Sequence, residues 1–128
     1  MKKVINTNNS PAPIGPYNQA ILKNNMLFIS GQIALDPISM TLNNSSIKDE
    51  THQVMKNLKN ILIEAKMNFN NVVKSSIFLS DMSYFNDVNE VYGSYLESGM
   101  EPARETIAVK TLPIMDQILF LRNSQHPE

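Results

Sequence analysis

Val72-Val73-Lys74-Ser75-Ser76-Ile77-Phe78-Leu79-Ser80, followed at once by Asp81 and an amphipathic run, decides the fold class. Its residues alternate, with Val73, Ser75, Ile77 and Leu79 on one side and Val72, Lys74, Ser76 and Phe78 on the other, and its β-branched content favours a strand. Asp81 is a suitable N-cap for a helix, and Met82, Phe85, Val88, Tyr92, Tyr95 and Leu96 then recur at the spacing of one helix face. Upstream, Ile47, Thr51, Val54, Met55, Leu58, Ile61, Leu62 and Ala65 predict a longer helix, opened by Ser46 with Asp49 three residues on in the manner of a capping box.

Working outward, Tyr17 to Leu22 and Met26 to Ile33 read as two strands joined at Lys23-Asn24-Asn25, a hairpin after which Asp36-Pro37 breaks the pattern. Downstream, Glu105 to Leu112 is strand-like, and Ile118-Leu119-Phe120-Leu121 reads as a final buried strand. The predicted order is a hairpin, a helix, a strand, a helix and one or two more strands. A sheet covered on one face by two helices is the simplest way to bury both apolar stripes, which makes the expected fold α+β.

A chain of 128 residues fits one domain, 1–128, and its composition of 42% hydrophobic and 18% charged residues is that of an ordinary globular protein. The absence of cysteine excludes disulfides, thiolate nucleophiles and thiolate-bound metals. A net charge of -1 offers no general attraction to phosphate backbones, so no nucleic-acid partner is expected. Lys2 and Lys3 are followed too soon by polar residues for a secretory signal, and no apolar run approaches the roughly 20 residues that span a bilayer. A cytosolic protein without membrane contact is the expectation.

Arg104 leads the candidates for chemistry, because Pro102-Ala103 constrains the chain before it and a strand follows it. A guanidinium presented in one orientation is a planar fork that matches a carboxylate bidentately. The competing reading is a surface arginine paired with an acid; Glu105 should point to the opposite face, which leaves Glu101 as the competitor. In Ser30-Gly31-Gln32, Gly31 allows close approach of a ligand or a backbone and Ser30 offers a hydroxyl, although an ordinary strand end explains them equally. Tyr17, after Gly15-Pro16, could cover a ligand with its ring or simply lie half-buried. Asn89 lies four residues after Phe85 and three before Tyr92, so it shares the apolar stripe, where a buried amide needs partners. His52 has no second ligand at metal-binding spacing and His126 is in the polar tail, so no metal site is expected; nor is there a phosphate-cradling glycine loop.

Taken in order, Ala12-Pro13-Ile14-Gly15-Pro16-Tyr17, Phe28-Ile29-Ser30-Gly31-Gln32-Ile33, Val72-Val73-Lys74, Phe78-Leu79-Ser80-Asp81, Val88-Asn89 with Tyr92, and Pro102-Ala103-Arg104 resemble the RidA-type reactive intermediate deaminases of the YjgF family. The resemblance implies a chorismate-mutase-like mixed sheet with two helices on one face, assembled as a homotrimer with a ligand site in each subunit cleft. It implies hydrolysis of 2-imino acids and their enamine tautomers, such as 2-iminobutanoate and 2-iminopropanoate, to 2-keto acids and ammonia, without metal or organic cofactor. By position, Arg104 would bind the substrate carboxylate, while Tyr17, Ser30, Gly31 and Asn89 would line the cleft.

Three positions depart from the family pattern. Leu121 stands where a C-terminal glutamate is usual, Thr106 replaces a cysteine two residues after the arginine, and Glu101 replaces an aromatic residue. Residues 114–128 diverge abruptly after Leu112-Pro113, which reads as a frame change near the 3′ end of the gene. The alternative function is therefore a trimer that binds small carboxylate metabolites and has lost hydrolysis with the glutamate.

Overall fold

The computed structural model describes residues 1–112 and the backbone of residues 119–125. Six strands, β1 (Lys3–Ile5), β2 (Ala20–Lys23), β3 (Met26–Ile29), β4 (Val72–Leu79), β5 (Ala103–Ala108) and β6 (Leu119–Gln125), form one sheet in the order β1-β2-β3-β6-β4-β5. Two helices, α1 (Ile47–Glu64) and α2 (Phe85–Ser94), complete the α+β architecture expected from the sequence.

The connections explain why both helices share one face. β6 lies antiparallel to both β3 and β4, so β3 and β4 run in the same direction, and β5 is parallel to β4. The chain thus crosses from β3 through α1 to β4, and from β4 through α2 to β5, always moving the same way across the sheet. Crossovers of one hand and one direction of travel place their helices on the same side. Leu27, Ile29, Ile77 and Leu79 from the sheet accordingly pack with Val54, Met55, Leu58, Ile61 and Leu62 of α1 and Val88 and Tyr92 of α2 in one core.

Local chemistry sets the boundaries. Asn24 and Asn25 have positive φ (52° and 62°) and form a two-residue loop between the paired Lys23 and Met26, the primed turn that matches strand twist. Ser46 caps α1 by accepting from Asp49 N (3.0 Å), while the Asp49 carboxylate turns to the Ser45 hydroxyl (2.6 Å). Asp81 does cap a helical segment, but it is a 3-10 turn over Met82–Tyr84, with α2 starting only at Phe85. Tyr95 and Leu96 therefore lie beyond the end of α2, and Met82 is exposed.

Several predicted boundaries are corrected. The hairpin strands are shorter than the apolar runs, because residues before Ala20 are held by side-chain bonds and not by a ladder. The buried Gln19 amide accepts from Thr7 N (2.7 Å) and donates to the carbonyls of Thr7, Ser10 and Pro11 at 3.0, 3.2 and 2.8 Å. β1 was not predicted, and among its three residues only Ile5 is buried, which leaves no alternation to detect. In β4 the alternation is out of phase at its start: Val72 is 7% exposed and Val73 49%. Register shifts between Val72 and Lys74 and between Lys74 and Ser76 against β6 are the cause. β5 begins at Ala103, which places Arg104 inside the strand. Ile118 and the side chains of the final run lie outside the described residues.

Asn57 of α1, fully buried, joins the helix to the loop after β3. Its amide donates to the carbonyls of Ile33 (3.2 Å) and Leu35 (2.9 Å) and accepts from Gln53 (2.9 Å). Substitution Ser46→Ala should lower unfolding free energy by about 1 kcal/mol through loss of the cap. Asn57→Ala should cost about 1–3 kcal/mol or more by orphaning two buried carbonyls. Urea denaturation followed by circular dichroism reads both, with the larger shift in midpoint expected for Asn57.

Candidate functional site

Arg104 on the edge strand β5 pairs with Ser75 of β4, and residues paired across a ladder point to the same side of the sheet. Ser75 faces the helices: it is buried, and its hydroxyl meets the Tyr92 hydroxyl of α2 at 2.6 Å. Arg104 consequently projects under α2. Its guanidinium carbon lies 5.6 Å from the Phe85 ring centre and 5.1 Å from that of Tyr92, within the range of cation–π attraction to both. The two rings and the Ser75–Tyr92 bond hold the fork in place.

Neither Glu101 nor Glu105 neutralises Arg104. The Glu101 carboxylate accepts from Gly99 N at 2.9 Å, and Glu105, on the opposite face as the period of two requires, engages Lys74 and Ser76. Among the described residues Arg104 forms no ion pair. Burial raises the Tyr92 pKa from its ordinary value, with the Ser75 hydrogen bond and the nearby Arg104 charge opposing that rise. The ring beside the guanidinium is therefore neutral at physiological pH. A partly buried guanidinium without a carboxylate partner among the described residues, walled by neutral rings, is equipped to hold a planar anion.

Asn89 lies between Phe85 and Tyr92 on α2, four residues after one and three before the other, and so shares the face that holds Arg104. It is half-buried, not buried as its place in the stripe predicts, because Val88 and Val91 take the positions against the core.

Tyr17, Ser30 and Gly31 form a second group. Tyr17 and Gly31 line one crevice with Ile14 and Gln32. The Tyr17 ring lies close to Gly15, where a Cβ would sit 3.3 Å from a ring carbon. The Tyr17 hydroxyl accepts from Ile14 N at 3.3 Å. Ser30 is already occupied: its hydroxyl donates to Asn18 O (2.6 Å) and its N–H to Gln19 O (2.9 Å), so it staples the end of β3 to the strap before β2 and retains only acceptor capacity for a ligand.

A single chain does not bring the two groups together. Phe28 pairs with Ser124, Ser124 with Lys74 and Lys74 with Ala103, so Ser30 and Arg104 stand just beyond opposite ends of one row across the sheet. Three strand spacings separate them, about 14 Å. The backbone of Leu121 pairs with Ser76, which also pairs with Glu105.

Sequence reasoning overlooked two features. Phe85 and Tyr92 were read as core, although their spacing on either side of Asn89 is that of a clamp. The second is Thr106, whose hydroxyl oxygen is shut off from solvent without a hydrogen-bond partner among the described residues. Elsewhere, His52 Nδ1 is bonded to the Tyr95 hydroxyl at 2.9 Å, and no cluster of three metal-ligating side chains occurs among the described residues.

Residues 7–119 match the Endoribonuclease L-PSP family. A 2-iminobutanoate/2-iminopropanoate deaminase of Mus musculus is 44% identical over 113 residues, which cover 88% of this chain and 83% of the mouse protein. RidA from an Antarctic Psychrobacter species superposes with a TM-score of 0.91 at 34% identity, over 98% of this chain and 99% of that one. TdcF of E. coli, in a crystal structure with bound serine, superposes with a TM-score of 0.89 at 28% identity, over 98% and 99% of the two chains. The ordered motifs, the sheet with two helices on one face and these similarities agree that the chain belongs to the Endoribonuclease L-PSP family, the YjgF/RidA family.

Proposed function

We propose that this protein is a RidA-type hydrolytic deaminase that converts small 2-imino acids and their enamine tautomers, such as 2-iminobutanoate and 2-iminopropanoate, to 2-keto acids and ammonia in the cytosol. The observation that carries this reading is Arg104, clamped between Phe85 and Tyr92 without an acidic partner among the described residues. A carboxylate seated on that fork fixes the adjacent C2 atom. The name of the mouse relative and the serine in the E. coli structure support a small carboxylate-bearing ligand.

The chemistry asks little of the protein beyond orientation. In a protonated imine, water oxygen bonds to C2 while the C=N π electrons move to nitrogen, and the water loses a proton to solvent. Proton transfer to the amine of the resulting carbinolamine then lets the C–N bond break as the C=O bond forms, and ammonia departs. Holding the reactant for these steps replaces a random encounter by a positioned one. A nuclease reading is less well supported: the chain has two histidines, and the one among the described residues is bonded to Tyr95.

The site also requires more than one copy. With Tyr17, Ser30 and Gly31 about 14 Å from Arg104 in the same sheet, the two groups would meet across a seam between subunits. The sheet face opposite the helices exposes Phe28, Val73 and Ile107, an apolar surface suited to a homotrimer interface.

Leu121 favours a second reading, a metabolite-binding trimer without turnover, since no carboxylate stands at that position to help move protons. Keto acid release from freshly generated 2-iminobutanoate distinguishes the two. Arg104→Ala should lower kcat/KM on the order of a hundredfold, and Arg104→Lys should recover little because an ammonium lacks the fork. Equal rates for wild type and Arg104→Ala would defeat the deaminase reading. If wild type binds 2-oxobutanoate but does not turn over the imine, and Leu121→Glu restores turnover, the second reading holds. Sedimentation equilibrium should return a mass of three chains.

A further inference from the structure

The second half of α1, the 3-10 turn Phe69–Asn71 and the end of α2 line a crevice of about 390 Å³ that shares no residue with the Arg104 site or the Tyr17 group. Small-molecule sites occupy roughly 300–1,000 Å³. The aromatic part of the crevice is held in place from within the protein. Phe69 and Tyr95 meet edge to face with ring centres 5.9 Å apart, and the Tyr95 hydroxyl is bonded to His52 Nδ1 at 2.9 Å. The turn that carries Phe69 is closed by its own asparagines: Asn68 accepts from Asn70 N at 2.8 Å, and Asn71 accepts from Asn68 N at 2.9 Å. The charged part is differently placed. Lys59 and Glu97 line the same crevice, yet they pair neither with each other nor with another charged side chain among the described residues. Asn70 engages the turn through its backbone N–H, which leaves its side-chain amide to the crevice. The Ser94 hydroxyl donates to Val91 O at 2.6 Å and keeps its acceptor capacity.

We propose that this crevice binds a free α-amino acid with an aromatic or large apolar side chain. Its carboxylate meets Lys59 and the Asn70 amide, its ammonium meets Glu97 and the Ser94 oxygen, and its side chain lies against Phe69 and Tyr95. Opposite charges that stay apart in one crevice are complementary to a ligand that carries both charges itself. A simple anion or cation would answer only one of them. The rings supply the apolar contact, edge or face, that an aromatic side chain takes best. Because His52 occupies the Tyr95 hydroxyl, the ligand meets the ring. The chemistry differs from that at Arg104, where a carboxylate alone is held.

Titration of the full-length assembled protein with L-phenylalanine, followed by amide chemical shifts in NMR, tests the assignment. Saturable shifts are expected at Phe69, Asn70 and Tyr95, with a dissociation constant on the order of a millimolar for a ligand of this size. Phenethylamine, without the carboxylate, and 3-phenylpropanoate, without the ammonium, should each bind about threefold to fivefold more weakly, the worth of one exposed ion pair. Lys59→Gln should erase the advantage of phenylalanine over phenethylamine, and Glu97→Gln its advantage over phenylpropanoate. Both side chains are exposed, so unfolding temperatures should not change. Arg104→Ala should retain the shifts at Phe69, Asn70 and Tyr95, which separates this site from the carboxylate anchor. Absence of saturable shifts at these three residues, equal affinity of wild type for all three compounds, or loss of the shifts in Arg104→Ala overturns the proposal and leaves the reading of Arg104 standing.

Discussion

The parallel ladder between β4 and β5 aligns Ser75 with Arg104, and that alignment sends a cation to the face of the sheet where the core lies. A charge so placed needs compensation, since moving it from water into protein is costly unless a partner is found. Here the compensation is aromatic and partial. Phe85 and Tyr92 attract the guanidinium without neutralising it, and Ser75 fixes Tyr92 from below. The position of β5 at the sheet edge, where Arg104 stays half-buried, is what makes this tolerable. A central strand would have demanded a carboxylate there, and the site would have been self-occupied.

The rest of the fold supports that arrangement. α2 presents its clamp because Val88 and Tyr92 join it to the core that the sheet and α1 share. On the other half of the molecule, the strap carrying Tyr17 and the loop carrying Gly31 have little regular structure, and buried amides do the work of a ladder. Gln19 gathers the carbonyls of Thr7, Ser10 and Pro11, and Asn57 gathers those of Ile33 and Leu35. Satisfied networks of this kind specify one loop conformation where a purely apolar contact would allow several.

What could be read from the sequence divides along the range of the interaction. α1 was legible to its first residue because its stripe and the Ser46 cap are both local, and the turn at Asn24-Asn25 because asparagine tolerates positive φ. The start of β4 was misphased because the register shifts depend on β6, some fifty residues downstream. Arg104 was legible as separate from Glu105 by the period of two alone. Ser30 was not legible as a staple, since its acceptor on Asn18 is brought to it only by the hairpin. Thr106 was the hardest: an unpaired hydroxyl is defined by what surrounds it, and no spacing in the chain records that absence.

The separation of Arg104 from Tyr17, Ser30 and Gly31 by three strands has a thermodynamic meaning. A small acid that needs both groups is a ligand for an assembly, and its binding is linked to association by mass action. In the assembly proposed above, dilution would weaken the site without altering any residue, and a rising supply of the acid would draw chains together. Chain concentration and metabolite concentration would then be interchangeable controls on one equilibrium.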